Sequence, residues 1–370
     1  MISWNSNPFC SVFFPVSLFF LFLGSNFNFF KMKIAVLAPI TWRTPPLNYG
    51  PWEQVASVLT EALVKNDLDV TLFATGDSVT KAKLQSVCQK PLGEYPADAK
   101  VWECLHISNL MEQASKFDII HNHFDFLPLT YSGLIRCPVI TTIHGFSSEQ
   151  IIPVYKKYNG HGWYVSISHS NRHPSLRYLD TVYNGINEDQ FQFGRGEGDY
   201  LLYFGRFHAD KGAYEAIQIA IQSNKKIILC GLIQDEFYFN EKVVPYLNDE
   251  SVVYKGNVGP VQRNELLANA LALLHPISFE EPFGLSVAEA MMCGTPVIAF
   301  NRGSMQELII NRRTGFLVQD IAEAVKATRN IKKISRQACR EHAMAKFSSQ
   351  AMARHYLQLY QKVARNAGGL

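Results

Sequence analysis

At 370 residues the chain is long enough for two domains of ordinary size, each with its own core. An apolar content of 47% with 18% charged residues argues against extensive disorder, and a net charge of +3 is too small for a protein built to bind nucleic acid. Seven scattered cysteines without a Cys-x-x-Cys pair argue against a disulfide framework and suit the reduced thiols of a cytoplasmic protein.

Residues 1–31 differ from the rest. They hold nine of the 25 phenylalanines and no charge before Lys31, and their apolar run from Phe9 to Leu23 is broken by Pro15. That run is shorter than the roughly 20 residues that span a bilayer, and it lacks the basic start of a signal peptide. Met32-Lys33-Ile34-Ala35-Val36-Leu37 reads as a natural beginning. An over-extended start, a signal sequence and a membrane anchor all stay open for the leader, and fold reasoning starts at Met32.

From there a strand over 33–38, a helix over 52–65 and a strand over 69–74 form one βαβ unit, the helix carrying Val55, Val58, Leu59, Ala62 and Leu63 on one face. Apolar strands follow at 117–120, 138–143 and 163–167. After the turn signal Tyr183-Asn184-Gly185 and the Gly-rich Gly194-Arg195-Gly196-Glu197-Gly198, the unit recurs as a strand over 200–204, a helix over 212–223 and a strand over 226–230. Further strands are predicted at 252–254, 272–276, 297–300 and 315–318, with helices near 261–270, 284–293 and 320–328 and an amphipathic one over 350–363. Alternating strands and helices imply parallel sheets, and two openings of the same kind imply two doubly wound α/β domains. The domains are placed at 32–195 and 196–346, with residues 347–370 as a terminal helical segment.

The most informative stretch is Phe279-Glu280-Glu281-Pro282-Phe283-Gly284-Leu285, running on through Glu289 to Cys293-Gly294-Thr295-Pro296. Gly284 opens a run of helix formers and Gly294 closes it, so Glu281 falls in the loop before a short helix and Glu289 within it. A helix N-terminus suits a phosphate or a sugar hydroxyl. Carboxylates suit hydroxyls and can accept both bonds of a ribose diol. Two glutamates at this spacing are also common on solvated surfaces. Their context, Pro-Phe-Gly between them and then Glu-Ala-Met-x-Cys-Gly-Thr-Pro-Val-Ile-Ala, closely resembles the donor site of glycosyltransferase family 4, retaining enzymes of the GT-B fold with two Rossmann-like domains and a cleft between them.

Gly205-Arg206-Phe207-His208-Ala209-Asp210-Lys211-Gly212 follows a buried strand, and its cations could neutralise a diphosphate. The resemblance assigns roles. Arg206 and Lys211 stabilise the leaving diphosphate, Glu281 holds donor-sugar hydroxyls and Glu289 the ribose, with Gly205, Phe283, Gly284 and Leu285 around the donor. Asn257-Val258 falls in the loop whose backbone would meet the nucleobase. Relatives commonly carry two adjacent glycines where this chain has Gly50-Pro51, so Gly50 stays a candidate for close backbone approach to the donor phosphate or the acceptor, while Pro51 lacks an N–H that a phosphate contact would use. His121-Asn122-His123-Phe124-Asp125 resembles a family His-x-His whose second member, here His123, lies by the transferred sugar; it also resembles the start of a binuclear metal motif, although Phe126 stands where that motif needs a histidine. Thr142-Ile143-His144-Gly145 and Val165-Ser166-Ile167-Ser168 resemble acceptor-side or cleft positions. Lys326, Arg329, Lys332, Lys333, Arg336 and Arg340 read as a solvated basic face, which some family members use to approach anionic membranes.

The resemblance thus implies a nucleotide-sugar donor as co-substrate, UDP-glucose-like in preference to GDP-mannose, with neither metal nor cofactor. The acceptor would be a hydroxyl on a small molecule, glycan or lipid. A nucleotide-sugar epimerase of the same fold, a non-catalytic sugar-nucleotide binder and a metallohydrolase are the alternatives.

Overall fold

A computed structural model describes residues 32–367 apart from Pro96, Ser147 and Asp249; the readings placed on the leader lie outside the described residues. The N-terminal lobe runs β1 (Lys33–Leu37), α1 (Pro51–Lys65), β2 (Asp69–Phe73), β3 (Lys83–Gln85), α2 (Ala99–Met111), β4 (Ile119–Asn122), β5 (Val139–Ile143), α3 (Ile152–Lys157), β6 (Trp163–Ser166) and β7 (Tyr178–Thr181). The C-terminal lobe follows with β8 (Tyr200–Phe204), α4 (Ala213–Gln222), β9 (Lys226–Cys230), α5 (Glu236–Lys242), β10 (Val252–Tyr254), α6 (Pro260–Asn269), β11 (Ala272–His275), α7 (Leu285–Met292) and β12 (Val297–Phe300). Then come α8 (Met305–Leu308), β13 (Gly315–Val318), α9 (Ile321–Asn330), α10 (Arg336–Phe347) and α11 (Ser349–Ala367).

Both sheets are parallel throughout. Their orders are β3-β2-β1-β4-β5-β6-β7 and β10-β9-β8-β11-β12-β13, so each reverses direction once, between β1 and β4 and between β8 and β11. The central strands are apolar along their length because helices cover both faces, as parallel sheets require; Ile34, Val36, Leu201, Leu273 and Val297 have no exposed surface. In such sheets ligands bind beyond the strand C-termini at the reversal point. The loops after β1, β8 and β11 line a single cleft between the lobes.

The terminal helix belongs to the other lobe. Met352, Tyr356, Tyr360 and Val363 of α11 are buried in the same cluster as Ile34, Val36, Leu59 and Ile140. Direct contacts also tie the lobes: Ser168 Oγ donates to Pro282 O (2.6 Å), and the backbone N–H groups of His169 and Ser170 each donate to the Glu307 carboxylate (2.8 Å). Among the described residues no helix is long and apolar enough to cross a membrane.

Two members of the basic run are not solvated. Arg336 donates to Gly194 O (2.9 Å), Ala268 O (2.6 Å), Ala270 O (2.9 Å) and Thr295 Oγ1 (2.7 Å), and Arg340 donates to Phe191 O (2.6 Å) and to Met292 O. The C-terminal, negative ends of α6 and α7 converge on these guanidiniums, and with them the Gly-rich connection between the lobes is pinned. At Gly194 a Cβ would stand 1.9 Å from Ala268 O, so a side chain is excluded. Lys326, Arg329, Lys332 and Lys333 are exposed as expected. Arg336→Ala is expected to cost about 3 kcal/mol, because several acceptors lose a charged donor at once, and Arg336→Lys should recover only part of it for want of the planar fork. Urea unfolding midpoints of the two variants check this.

Candidate active site

The cleft encloses about 420 Å³ and is built from both lobes. On the C-terminal side β8 delivers Gly205 and Arg206 at its end, and the chain then turns through Lys211 to Gly212. Gly212 is left-handed (φ 74°), and a Cβ there would lie 2.0 Å from Pro276 O. Only glycine lets the loop after β8 touch the loop after β11. That contact brings Lys211 Nζ to 2.6 Å from Glu281 Oε2 and over the Phe279 ring at 4.4 Å. Arg206 is held by Asp210 Oδ2 (2.7 Å) and Gln234 Oε1 (2.6 Å). The loop carrying Glu281 is fixed from behind: Ser304 donates its N–H to Glu281 O (3.0 Å) and its hydroxyl to Phe283 O (2.6 Å). His275 Nε2 lies 3.7 Å from Glu281 Oε2, but burial lowers its pKa to about 4, leaving the ring neutral.

Further along the same wall, Gly284 (φ 93°) begins α7, whose first turn has no side-chain cap; Val287 donates its N–H to Gly284 O (3.1 Å), which leaves the N–H groups of Leu285 and Ser286 for a ligand. Phe283, Gly284, Leu285 and Glu289 line the cleft. Glu289 is buried and burial raises its pKa; Arg263 at 3.4 Å opposes that rise. Arg263, which also packs against the rings of Phe191 and Phe204, was not legible in the sequence because it sits in α6 outside any motif.

The opposite wall comes from the N-terminal lobe: Leu47, Tyr49, Gly50, Trp52, His144 and Gly145. Gly50 (φ 153°) precedes α1, and a Cβ there would stand 2.8 Å from Pro46 Cβ; Pro51 then occupies the first helical position, as its missing N–H allows. Trp52 stacks on His144 with ring centroids 5.5 Å apart at 21°. Burial raises the Tyr49 phenol above its ordinary value, and the positive field of Arg206 across the cleft opposes it.

Two residues singled out in the sequence stand elsewhere. His123 is fully buried behind His144, to which its Nδ1 is hydrogen-bonded (2.9 Å), and it is His144 that lines the cleft. The reason is the parallel sheet: the end of β4 is central and covered, whereas His144 follows β5 where the chain turns towards the opening. Val258 packs into the C-terminal core, while Asn257 and Pro260 on either side of it line the cleft.

Among the described residues no group of three His, Cys, Asp or Glu side chains is placed to hold a metal ion. The members of the sequence His-x-His-x-Asp have separate protein partners: His121 meets Tyr360 and Thr142, His123 meets His144, and Asp125 accepts from Tyr155.

Comparison with known proteins covers most of the chain. The family model described as Glycosyltransferase Family 4 matches residues 53–189, and that described as Glycosyl transferases group 1 matches residues 185–351. An uncharacterized glycosyltransferase of Methanocaldococcus jannaschii is 24% identical over 344 residues, 78% of this chain and 85% of that protein. Among solved structures, the sucrose-phosphate synthase of Thermosynechococcus elongatus superposes with a TM-score of 0.73 at 21% identity, covering 90% of this chain and 99% of that one. The Anabaena protein HepE, solved with UDP-glucose, superposes at 0.68 and 18% identity over 90% of this chain and all of its own.

Proposed function

Since the chain is a glycosyltransferase of the family 4-like, GT-B type, we propose that it moves a hexose, glucose in first preference, from a UDP-linked donor to a hydroxyl acceptor with retention of anomeric configuration and without a bound metal. The observation that carries this reading is that Arg206, Lys211, Glu281 and Glu289 share one cleft with the uncapped N-terminus of α7. HepE supplies the donor preference, having been solved with UDP-glucose.

On this reading the diphosphate lies against the first turn of α7 with Arg206 and Lys211, Glu289 accepts from the ribose, and Glu281 accepts from hydroxyls of the hexose. Each of these charges already has a partner: Lys211 with Glu281, Arg206 with Asp210, Arg263 with Glu289. The site is therefore pre-organised, and the cations stabilise charge that grows on the phosphate as the C1–O bond breaks. The acceptor oxygen bonds to C1 on the face the diphosphate leaves, and its proton passes to the departing phosphate oxygen, so no side chain acts as a nucleophile. The uncharged N-terminal wall of Leu47, Tyr49 and Trp52 would receive the acceptor.

A thermal-shift screen of UDP-, GDP- and ADP-sugars tests the donor. Binding at a hundredfold excess over Kd adds about 2.7 kcal/mol, and UDP-glucose is expected to give the largest shift, unaltered by EDTA. A larger shift with GDP-mannose reassigns the base; no shift with any sugar nucleotide removes the reading. Glu289→Gln is expected to raise donor KM about tenfold with kcat little changed, since a ribose contact is made equally before and during transfer. Steady-state kinetics on that variant measure the split.

A further inference from the structure

His144 does not stand alone at the cleft. Behind it runs an unbroken set of buried polar side chains: His144 Nε2 to His123 Nδ1 (2.9 Å), the His123 ring against the His121 ring (centroids 4.2 Å apart), then His121 to Thr142 Oγ1 (2.7 Å) and Tyr360 Oη (2.6 Å), with Thr142 bonded to Tyr356 (2.6 Å). His121, His123 and Thr142 are essentially without exposed surface. Burial lowers the pKa of all three imidazoles, His121 and His144 to about 3, so each ring carries one proton and the chain must decide where.

The decision can be read from an orphan. His123 Nε2 is buried and has no hydrogen-bond partner. If His144 donated from Nε2, the single proton of His123 would sit on Nε2, stranding a buried N–H. If His123 donates from Nδ1, the stranded atom is a bare ring nitrogen. Buried N–H groups without acceptors are rarer than acceptors without donors, so the second arrangement holds. It forces the proton of His144 onto Nδ1, which has no protein partner among the described residues.

Resting on the donor reading above, we propose that His123 is a positioning residue: its Nδ1–H fixes His144 in the Nδ1-protonated tautomer, making the imidazole at the cleft a hydrogen-bond donor to an oxygen of the bound sugar nucleotide. The sequence pointed to His123 as the contact itself; the geometry gives it an effect through His144. The packing of the His123 ring against His121, itself held by Thr142 and by Tyr360 of α11, keeps the donor aimed.

The test is a two-bond 1H–15N correlation spectrum of the histidines. His144 is expected as the Nδ1–H tautomer in the wild type and in His123→Asn, whose amide N–H can take the place of Nδ1, and as a mixture of tautomers in His123→Leu. With UDP-glucose as probe, turnover should fall about tenfold in kcat for His123→Leu with KM within twofold, and recover in His123→Asn. A wild-type His144 protonated on Nε2, or an unchanged tautomer in His123→Leu, overturns the proposal. Should His123→Leu fail to fold, the wild-type and His123→Asn spectra decide it. The spectra need no substrate, so absence of UDP-glucose turnover in the wild type counts against the donor assignment alone.

Discussion

Lys211→Ala is expected to lower kcat/KM for sugar transfer by about 10²- to 10³-fold, the loss seen when one pre-aimed donor is taken from a developing oxyanion. Three observations set that magnitude. The ammonium is only partly accessible, with 17% of its side chain exposed, so its charge is weakly screened. It is aimed by the Phe279 ring beneath it and by Glu281, so little reorganisation is needed when the phosphate charge grows. Its loop is locked onto the loop after β11 through Gly212 and Pro276 O. Removing the ammonium also leaves Glu281 beside a neutral His275, a carboxylate with no counter-charge. Some lost stability should follow, and Lys211→Ala/Glu281→Gln separates the two effects: the double variant should regain stability and stay inactive. Near wild-type transfer by Lys211→Ala at saturating donor would refute the assigned role.

Acid is expected to unfold the protein steeply below about pH 5. Five histidines, His106, His121, His123, His144 and His275, are held neutral by burial, with pKa values lowered to about 4, 3, well below normal, 3 and 4. Each takes up a proton on unfolding once the pH is below about 6.5, so their stabilisation is present above that value and is lost as the pH falls. Buried carboxyls work in the opposite sense. Glu53 is raised to about 7, Asp125 to about 6, and Glu289 is raised, all by burial, and their share of stability is present at low pH and lost as the pH rises through those values. The smaller shifts at Glu103, Glu215 and His342 are of mixed sign. Near pH 5.5 five protons taken up are set against those released by Glu53 and Asp125, with Glu289 opposing in the same sense, and a net of two to three corresponds to about 3–4 kcal/mol per pH unit. Below about pH 4.5 the carboxyls of the unfolded chain begin to take up protons and their opposition weakens, but His106 and His275, with folded values of about 4, begin to protonate in place, so the slope stays at about 4 kcal/mol per unit. Against a total stability of about 5–15 kcal/mol, the fold should be lost by about pH 4. Guanidinium midpoints followed by circular dichroism from pH 7 to 4 measure the slope. A midpoint that stayed level across that range would show that these imidazoles are not held neutral in the folded protein.

What could be read from the residues was whatever is buried on both sides. The strands of the second lobe announce themselves as short apolar runs, and Tyr200–Phe204, Lys226–Cys230, Val252–Tyr254, Val297–Phe300 and Gly315–Val318 fall where those runs place them. β3 and β7, at the two edges of the first sheet, were missed because an edge strand needs few apolar residues: Lys83–Gln85 has no buried position and Tyr178–Thr181 has one. α10 was hidden by its charges, since Arg336 and Arg340 read as surface residues until the helix ends they serve are placed around them. In the cleft, loops that follow a motif were legible: Arg206, Lys211, Glu281, Phe283, Gly284, Leu285 and Glu289 all line it. Side chains placed by tertiary approach alone were not. Arg263 has no motif, and nothing in His121-Asn122-His123 says that its second ring lies one layer behind His144.

The return of α11 to the first lobe has a consequence for synthesis. The cluster that includes Ile34 and Leu59 stays open on one side until Met352, Tyr356, Tyr360 and Val363 arrive. A nascent chain leaving the ribosome can therefore complete its later half first, while the earlier half waits, exposed to chaperones and proteases, for the last turns to emerge. A stop codon a few turns early would damage the oldest part of the polypeptide.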